Sequence, residues 1–328
     1  MLIKKSTLPT CIIRTVGNTP LVQFSRIFDP YTFDFYGKME SFNPGGSIKD
    51  RVGVRLIEEA IREGKVDQYT TVVESTSGNM GIGLAQVCHY YKVKLLLVVD
   101  PHINKPAAKL LETYGAKLIT VKDQDGMGGY LKTRLRKVRQ LLRDIPGSFW
   151  PDQYRNHSVT AVHQQTWSEI IRDLGCAPDY LFVPTSTCGT LMGLANAISE
   201  SGHTTRIIAV DARGSVVFGD EPAIRRIPGI GSSRKSNFLD PSRIDGIVHV
   251  SDRQAVNGCR LLLAKESVLT GGSSGAVIHA VSRYAPYFST SASAVGILPD
   301  SGERYVDTVY SDEWVKQLAD NLQYGEVG

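Results

Sequence analysis

The chain has 328 residues, 42% hydrophobic and 21% charged, with a formal net charge of +4; at about 150 residues per domain this makes two modest domains or one large one. Such a composition excludes disorder, collagen and coiled coil, and a mildly basic chain without an aromatic-interleaved basic stripe gives no argument for nucleic acid. The longest apolar run, Leu95–Val99, is far below the roughly 18 residues of a membrane helix, and the opening MLIKKSTLPTCIIRTVG lacks the apolar segment of a signal peptide, so a cytoplasmic protein without membrane contact is expected.

In chain order, Asn43–Arg51 (NPGGSIKDR) is a turn-rich loop that feeds the helical pattern Val52–Arg62 and puts Lys49 at the loop-to-helix junction. A lysine near the positive end of a helix dipole and partly desolvated loses proton affinity, as a Schiff-base amine requires, although a surface lysine before a helix has the same sequence. A strand at Thr70–Val73 leads into Glu74–Gly81 (ESTSGNMG), whose hydroxyls and amides at a helix start suit either a carboxylate or phosphate or a simple Ser/Thr cap. Strands at Lys94–Val99 and Ala116–Val121 flank a helix over Asn104–Tyr114 that ends at Gly115. Leu131, Leu135, Val138, Leu141 and Leu142 give the next helix its apolar face, and Lys132, Arg134, Arg136, Lys137, Arg139 and Arg143 read as its solvated face.

After an irregular stretch with Ile145-Pro146-Gly147 and Trp150-Pro151-Asp152, the strand Tyr180–Val183 opens onto Pro184–Gly193, a small-residue loop that is either a phosphate cradle or a plain connector. Cys188 there has no histidine nearby in sequence and reads as a packing residue. Further strands are expected at Arg206–Val210, Gly246–Val250 and Ala294–Leu298; the last leads to Pro299-Asp300-Ser301, where a hydroxyl can meet a heterocycle nitrogen. Trp314, Leu318 and Leu322 are spaced for a final helix, with too few residues after Tyr310 for an appended regulatory domain. The five cysteines are odd in number and widely spaced, so the thiols are expected free; the seven histidines show no ligand spacing, so no metal site is expected. Strands alternating with helices in two groups imply an α/β, doubly wound architecture with two lobes and chemistry in the cleft at the strand ends.

Asn18–Val22 (NTPLV), NPGGSIKDR at 43–51, TSGN at 76–79, the loop at 185–190 and LPDS at 298–301, in this order, resemble the pyridoxal-phosphate β-family, fold type II, the tryptophan synthase β-like fold of cysteine synthases and cystathionine β-synthases. The resemblance covers nearly the whole chain. ESTSGNMGI at 74–82, GGYLKTR at 128–134, VDARGSVVFGDEP at 210–222, PGIGSSR at 228–234 and LPDSGERYVDTVYSDEW at 298–314 resemble a narrower branch. That branch is the N-(2-amino-2-carboxyethyl)-L-glutamate synthases of siderophore (staphyloferrin B-type) and 2,3-diaminopropionate biosynthesis.

The resemblance implies a smaller lobe at 45–150 and a larger one from 1–44 plus 151–328, with pyridoxal 5′-phosphate between them. It makes Lys49 the Schiff-base lysine and the base that takes the substrate α-proton. Asn79 would meet the cofactor 3′-oxygen; Thr185, Ser186, Thr187, Cys188, Gly189 and Thr190 would form the phosphate loop, and Ser301 would face the ring nitrogen. Cysteine synthases have glycines where Ser186 and Cys188 stand. Thr76, Ser77, Asn79, Met80 and Gln153 would hold the substrate carboxylate, with Tyr154 closing the site. Arg134, Arg213 and Arg234 would be cations for a leaving phosphate and a dicarboxylate, with Arg234 the first choice, and Gly231 beside it would bind substrate too. The implied reaction is a transfer, O-phospho-L-serine plus L-glutamate through a bound aminoacrylate, in a homodimer whose product passes to an NAD-dependent dehydrogenase. The alternative is a cysteine synthase using sulfide with O-acetylserine or O-phosphoserine.

Overall fold

The computed structural model describes residues 9–76, 78–124 and 129–320. Its strands form two sheets. A six-stranded sheet runs β1-β2-β9-β6-β7-β8, from β1 (Leu21–Gln23), β2 (Asp34–Met39), β6 (Tyr180–Pro184), β7 (Arg206–Ala212), β8 (Gly246–Val250) and β9 (Ser293–Leu298). All its pairs are parallel except β1 with β2. A three-stranded parallel sheet holds β3 (Thr71–Ser75), β4 (Lys94–Val99) and β5 (Lys117–Thr120). The α/β class expected from the sequence is therefore the one found.

The helices explain why the strands are apolar on both faces. Along β7, Ile207 and Ala209 pack in the core beside α7 (Gly189–Glu200), while Ile208, Val210 and Ala212 pack in the core that holds α8 (Asp252–Glu266) and α9 (Gly272–Tyr284). In the smaller sheet Val72, Leu95 and Leu97 meet α1 (Lys49–Arg62) and α2 (Asn79–Tyr91), and Val73 and Val98 meet α4 (Leu131–Asp144). Parallel strands covered on both sides need such continuous runs. The remaining helices are α3 (Lys105–Thr113), α5 (Ser158–Ala161), α6 (His163–Leu174) and α10 (Asp312–Asp320). Leu318 of α10 is buried, as the spacing predicts; Leu322 lies outside the described residues. We propose lobe boundaries near 45 and 150, because β3–β5 form one sheet and all other strands the second.

Two strands went unread. β2, with the sequence DFYGKM, contains the fully buried Lys38, and a charge in the middle of a strand masks its pattern. The α4 reading needs one correction: Arg134 is turned inward, its side chain 14% exposed and paired with Asp100 at 3.2 Å. It leaves the solvated face because the end of β4 presents that carboxylate to it.

α8 and α9 pack with their backbones in near contact at Gly258 and Gly275, where a Cβ on Gly258 would collide with the Gly275 carbonyl. Overpacking of this kind costs about 1–3 kcal/mol or more. Gly258→Ala should lower the urea midpoint accordingly, while Gly64→Ala, where a Cβ meets nothing within 4 Å but φ is +70°, should cost only about 1 kcal/mol from backbone strain.

Candidate active site

Four helices, α1, α2, α7 and α9, begin at one cleft of about 880 Å³, and none of their N-caps accepts a side-chain cap bond. Each start leaves backbone N–H groups and a positive dipole end turned to the same space. The cleft is built to receive negative charge on several sides.

Lys49 is the first residue of α1 and lines this cleft. Its loop is clasped to the exit of β9: the Ile48 N–H donates to the Pro299 carbonyl at 2.9 Å, and Ser47 bridges Asp300. Gly46 makes the turn with φ +82°, and the Gly45 N–H donates to Asp50 at 2.5 Å. Burial pushes the Lys49 amine down to about 8, so a substantial neutral fraction exists near neutral pH. Asp50, buried beneath it, is pushed up to about 7 by the same loss of water.

Asn79 opens α2. Its Nδ2 donates to Asp300 at 2.6 Å and its Oδ1 accepts from Arg304 at 2.5 Å, while Arg304 also donates to the Gly45 carbonyl at 2.6 Å. Tyr305 hydrogen-bonds the same amide, so Asn79 is held at the cleft by three side chains. Thr76, Met80 and Gln153 line the cleft nearby; Ser77 lies outside the described residues. Gln153 is held by Ser75, whose carbonyl accepts from its Nε2 at 3.2 Å, and by buried Glu74, which accepts from its N–H at 3.2 Å and from Trp150 at 3.1 Å. Burial raises Glu74 to about 7.

Of the loop after β6, Ser186, Thr187, Cys188, Gly189 and Thr190 line the cleft. Thr185 does not: its Oγ1 donates to the Val210 carbonyl at 3.0 Å and anchors the loop from behind. Gly231, expected to bind substrate, does not line the cleft either; it serves the loop, its N–H donating to Thr185 O at 2.7 Å and its carbonyl accepting from Ser186 at 3.1 Å. Cys188 takes the left-handed conformation, φ +65°, at the N-cap of α7, where glycine is the usual residue. Its thiol is buried and pushed up to about 12 by desolvation, which suits packing and not nucleophilic attack.

Three expected residues sit elsewhere than the sequence suggested. Ser301 is not among the cleft residues; it bridges Thr270 beside the start of α9. Ser273, at the second position of α9, lines the cleft instead. Asp300 is buried one layer behind Asn79, accepting from Asn79 and from Tyr305 at 2.6 Å each. Arg234 lies across the Tyr154 ring, 5.2 Å from its centroid, in a small pocket at the rim of the main cleft. Arg213 lines a different cleft altogether. Arg134, Arg225, Arg226 and Arg304 are the arginines that line the main one. Arg225 is occupied by the Gly214 and Ser232 carbonyls at 2.6 and 3.0 Å, whereas the Arg226 side chain makes no hydrogen bond or ion pair among the described residues. Ser273 was legible as a Gly-Gly-Ser-Ser-Gly run opening a helix; Arg226 carried no signal.

These donors fit a phosphate-bearing aldehyde. An amine of lowered proton affinity would take the aldehyde, the uncapped start of α7 would take the phosphate, and Asn79 and the Ser273 hydroxyl line the cleft where ring substituents would lie. No group of three or more His, Cys, Asp or Glu side chains that could hold a metal occurs among the described residues, and none of their helices is long and apolar enough to cross a membrane.

The family profile of pyridoxal-phosphate dependent enzymes matches residues 12–300. Among solved structures, the O-acetylserine dependent cystathionine β-synthase of Helicobacter pylori is 31% identical over 93% of this chain and 100% of its own, with a TM-score of 0.85. O-ureido-L-serine synthase is 29% identical over 95% of this chain and 99% of its own, TM-score 0.85. O-acetylserine sulfhydrylase isoform 3 of Entamoeba histolytica is 28% identical over 98% and 99%, TM-score 0.86.

Proposed function

The chain belongs to the pyridoxal-phosphate dependent enzymes, and we propose that it replaces the phosphate of O-phospho-L-serine with the amine of L-glutamate, giving N-(2-amino-2-carboxyethyl)-L-glutamate. Pyridoxal phosphate, when bound, supplies an electron sink conjugated to the substrate α-carbon. Lys49 would hold the cofactor covalently, and its Nζ, once free, would be placed to take the substrate α-proton. The start of α7 with Ser186–Thr190 would hold the cofactor phosphate, and Asn79 would meet the cofactor 3′-oxygen. A hydroxyl at this end of the cleft, Ser273 at the start of α9 or Ser301 paired with Thr270 beside it, would meet the ring nitrogen; being neutral it would leave that nitrogen unprotonated, which favours loss of a β-substituent over racemisation. The start of α2, with Thr76, Met80 and Gln153, would orient the substrate carboxylate. In the net reaction the Cβ–O bond to phosphate breaks, a Cβ–N bond forms, and inorganic phosphate leaves.

The observation that carries the choice of substrates is the set of arginines lining the cleft beyond the cofactor donors, Arg226 unpaired among them. A sulfide nucleophile needs no such cation. A leaving phosphate and a dicarboxylate nucleophile need at least two. The same reading extends to a cytoplasmic homodimer whose product an NAD-dependent dehydrogenase converts towards 2,3-diaminopropionate.

The test is product analysis by mass spectrometry after O-phospho-L-serine is supplied with glutamate or with sulfide. Glutamate adduct and released phosphate are expected; S-containing product alone would make the enzyme a cysteine synthase. Arg226→Ala should raise the KM for glutamate about 10- to 100-fold, the loss of one charge-assisted contact, and leave the KM for O-phospho-L-serine within about 3-fold.

A further inference from the structure

A second cleft, of about 780 Å³, runs along the outer edge of the six-stranded sheet between β8 and the C-terminal half of α9, and shares no lining residue with the first. Its wall carries Arg206, Arg213, Arg283, His249 and His279 against a single acid, Asp245. Asp245 is already engaged, accepting from the Ile207 N–H at 2.8 Å. Arg206 lies over the Tyr180 ring, 5.7 Å from its centroid.

Arg213 and Arg283 make no side-chain hydrogen bond or ion pair among the described residues, and Nε2 of His249 is enclosed without a partner there. They come from separate elements: Arg213 follows β7, while His279 and Arg283 sit one turn apart on the same face of α9. His279, Arg283 and Arg213 line the same cleft, and burial, then the charges of Arg283 and Arg213, lowers the proton affinity of His279. Such a cluster repels itself in the free protein, and an anion reverses the sign of that interaction.

We propose that this cleft is a second, non-catalytic binding site for a small molecule carrying a diphosphate group. Two guanidinium groups on different elements can each take one phosphate through paired N–H donors. The imidazoles add donors between them. Beside the cations the wall is aromatic, with Tyr284, Tyr287 and Phe288, so the diphosphate can be free or joined to a nucleoside.

Thermal unfolding of the holoenzyme with inorganic pyrophosphate at constant ionic strength, with sulfate as the charge control, tests this. A saturable rise in Tm of about 2 °C or more is expected, with at least 10-fold weaker binding in Arg213→Ala/Arg283→Ala. Both side chains are exposed, so the variant should fold, and its cofactor absorbance band verifies this. His279→Gln is a second, milder variant with the same expected direction. ADP in place of pyrophosphate separates the two sources: tighter binding points to a nucleotide, equal or weaker binding to the free diphosphate. A shift that survives the double variant belongs to the catalytic cleft and overturns the proposal, as does an equal shift with sulfate.

Discussion

Lys49→Ala should fold with wild-type stability to within about 1 kcal/mol and yet lose activity by at least about 10³-fold, because no other lysine among the described residues lines the cleft. The substitution removes a half-buried amine whose charged form burial already disfavours, so little folding free energy goes with it. The visible absorbance of covalently held cofactor should be absent from the variant after dialysis and present in the wild type. A wild-type level of retained cofactor would mean that a different lysine carries it. The same amine predicts a pH profile for the cofactor-free enzyme. Lys49 titrates at about 8, lowered by burial, so the rate of covalent capture should rise with pH through 8 and level off above it, as the neutral amine becomes the dominant form. A midpoint near 10.5 would show that the amine is solvated.

Arg51→Ala should destabilise the protein by about 3–5 kcal/mol, the cost of stranding buried carboxylates without their partner. Arg51 is 2% exposed. Its Nε and Nη2 donate to Glu40 at 2.7 and 2.8 Å, and its Nη1 and Nη2 donate to Glu169 at 2.8 and 2.6 Å. Lys38 completes a balanced set, 2.8 Å from Glu169 and donating to the Thr19 carbonyl at 2.6 Å. Burial opposes the charge on Glu169, but the hydrogen bonds and charge of Arg51, with help from Lys38 and the Asn18 N–H, outweigh it and hold the carboxyl at about 2. A carboxyl so depressed contributes stability above its ordinary 4.5 that is lost as pH falls from there towards 2. Urea midpoints measured from pH 7 to pH 3 should therefore show two effects. The variant is weaker at pH 7, and its further loss on acidification is smaller. Arg51→Ala with a loss under about 1 kcal/mol would mean that water reaches the pair. Cofactor occupancy should fall as well, since Arg51 lies two residues beyond Lys49 on the same helix.

That network shows what the sequence could and could not convey. The strands β3 to β9 were legible because each is a short β-branched or leucine-rich run between helical patterns, the result of burial on both faces. β1 and β2 were not, because β2 owes its place to pairing with β9, the far end of the chain, and because Lys38 breaks its apolar pattern. The NTPLV segment was legible only as a motif; its role, carrying Thr19 and Asn18 to Glu40, Lys38 and Glu169, depends on partners up to 151 positions away.

At the site, the loops can be read from the chain alone: NPGGSIKDR with its lysine at a helix start, TSGN after one strand and the small-residue turn after another. These are local, since a turn, a cap and the helix that follows are written in adjacent residues. The packed fold sets which helix starts share a cleft, that Ser273 lines it while Ser301 does not, that Asp300 stands behind Asn79, and that Arg226 lines it while Arg213 lines a second cavity. Each of these choices turns on the order and register of parallel strands, which bring residues more than 200 positions apart, such as Asn79 and Arg304, into hydrogen-bond contact. No local pattern in a chain encodes that pairing.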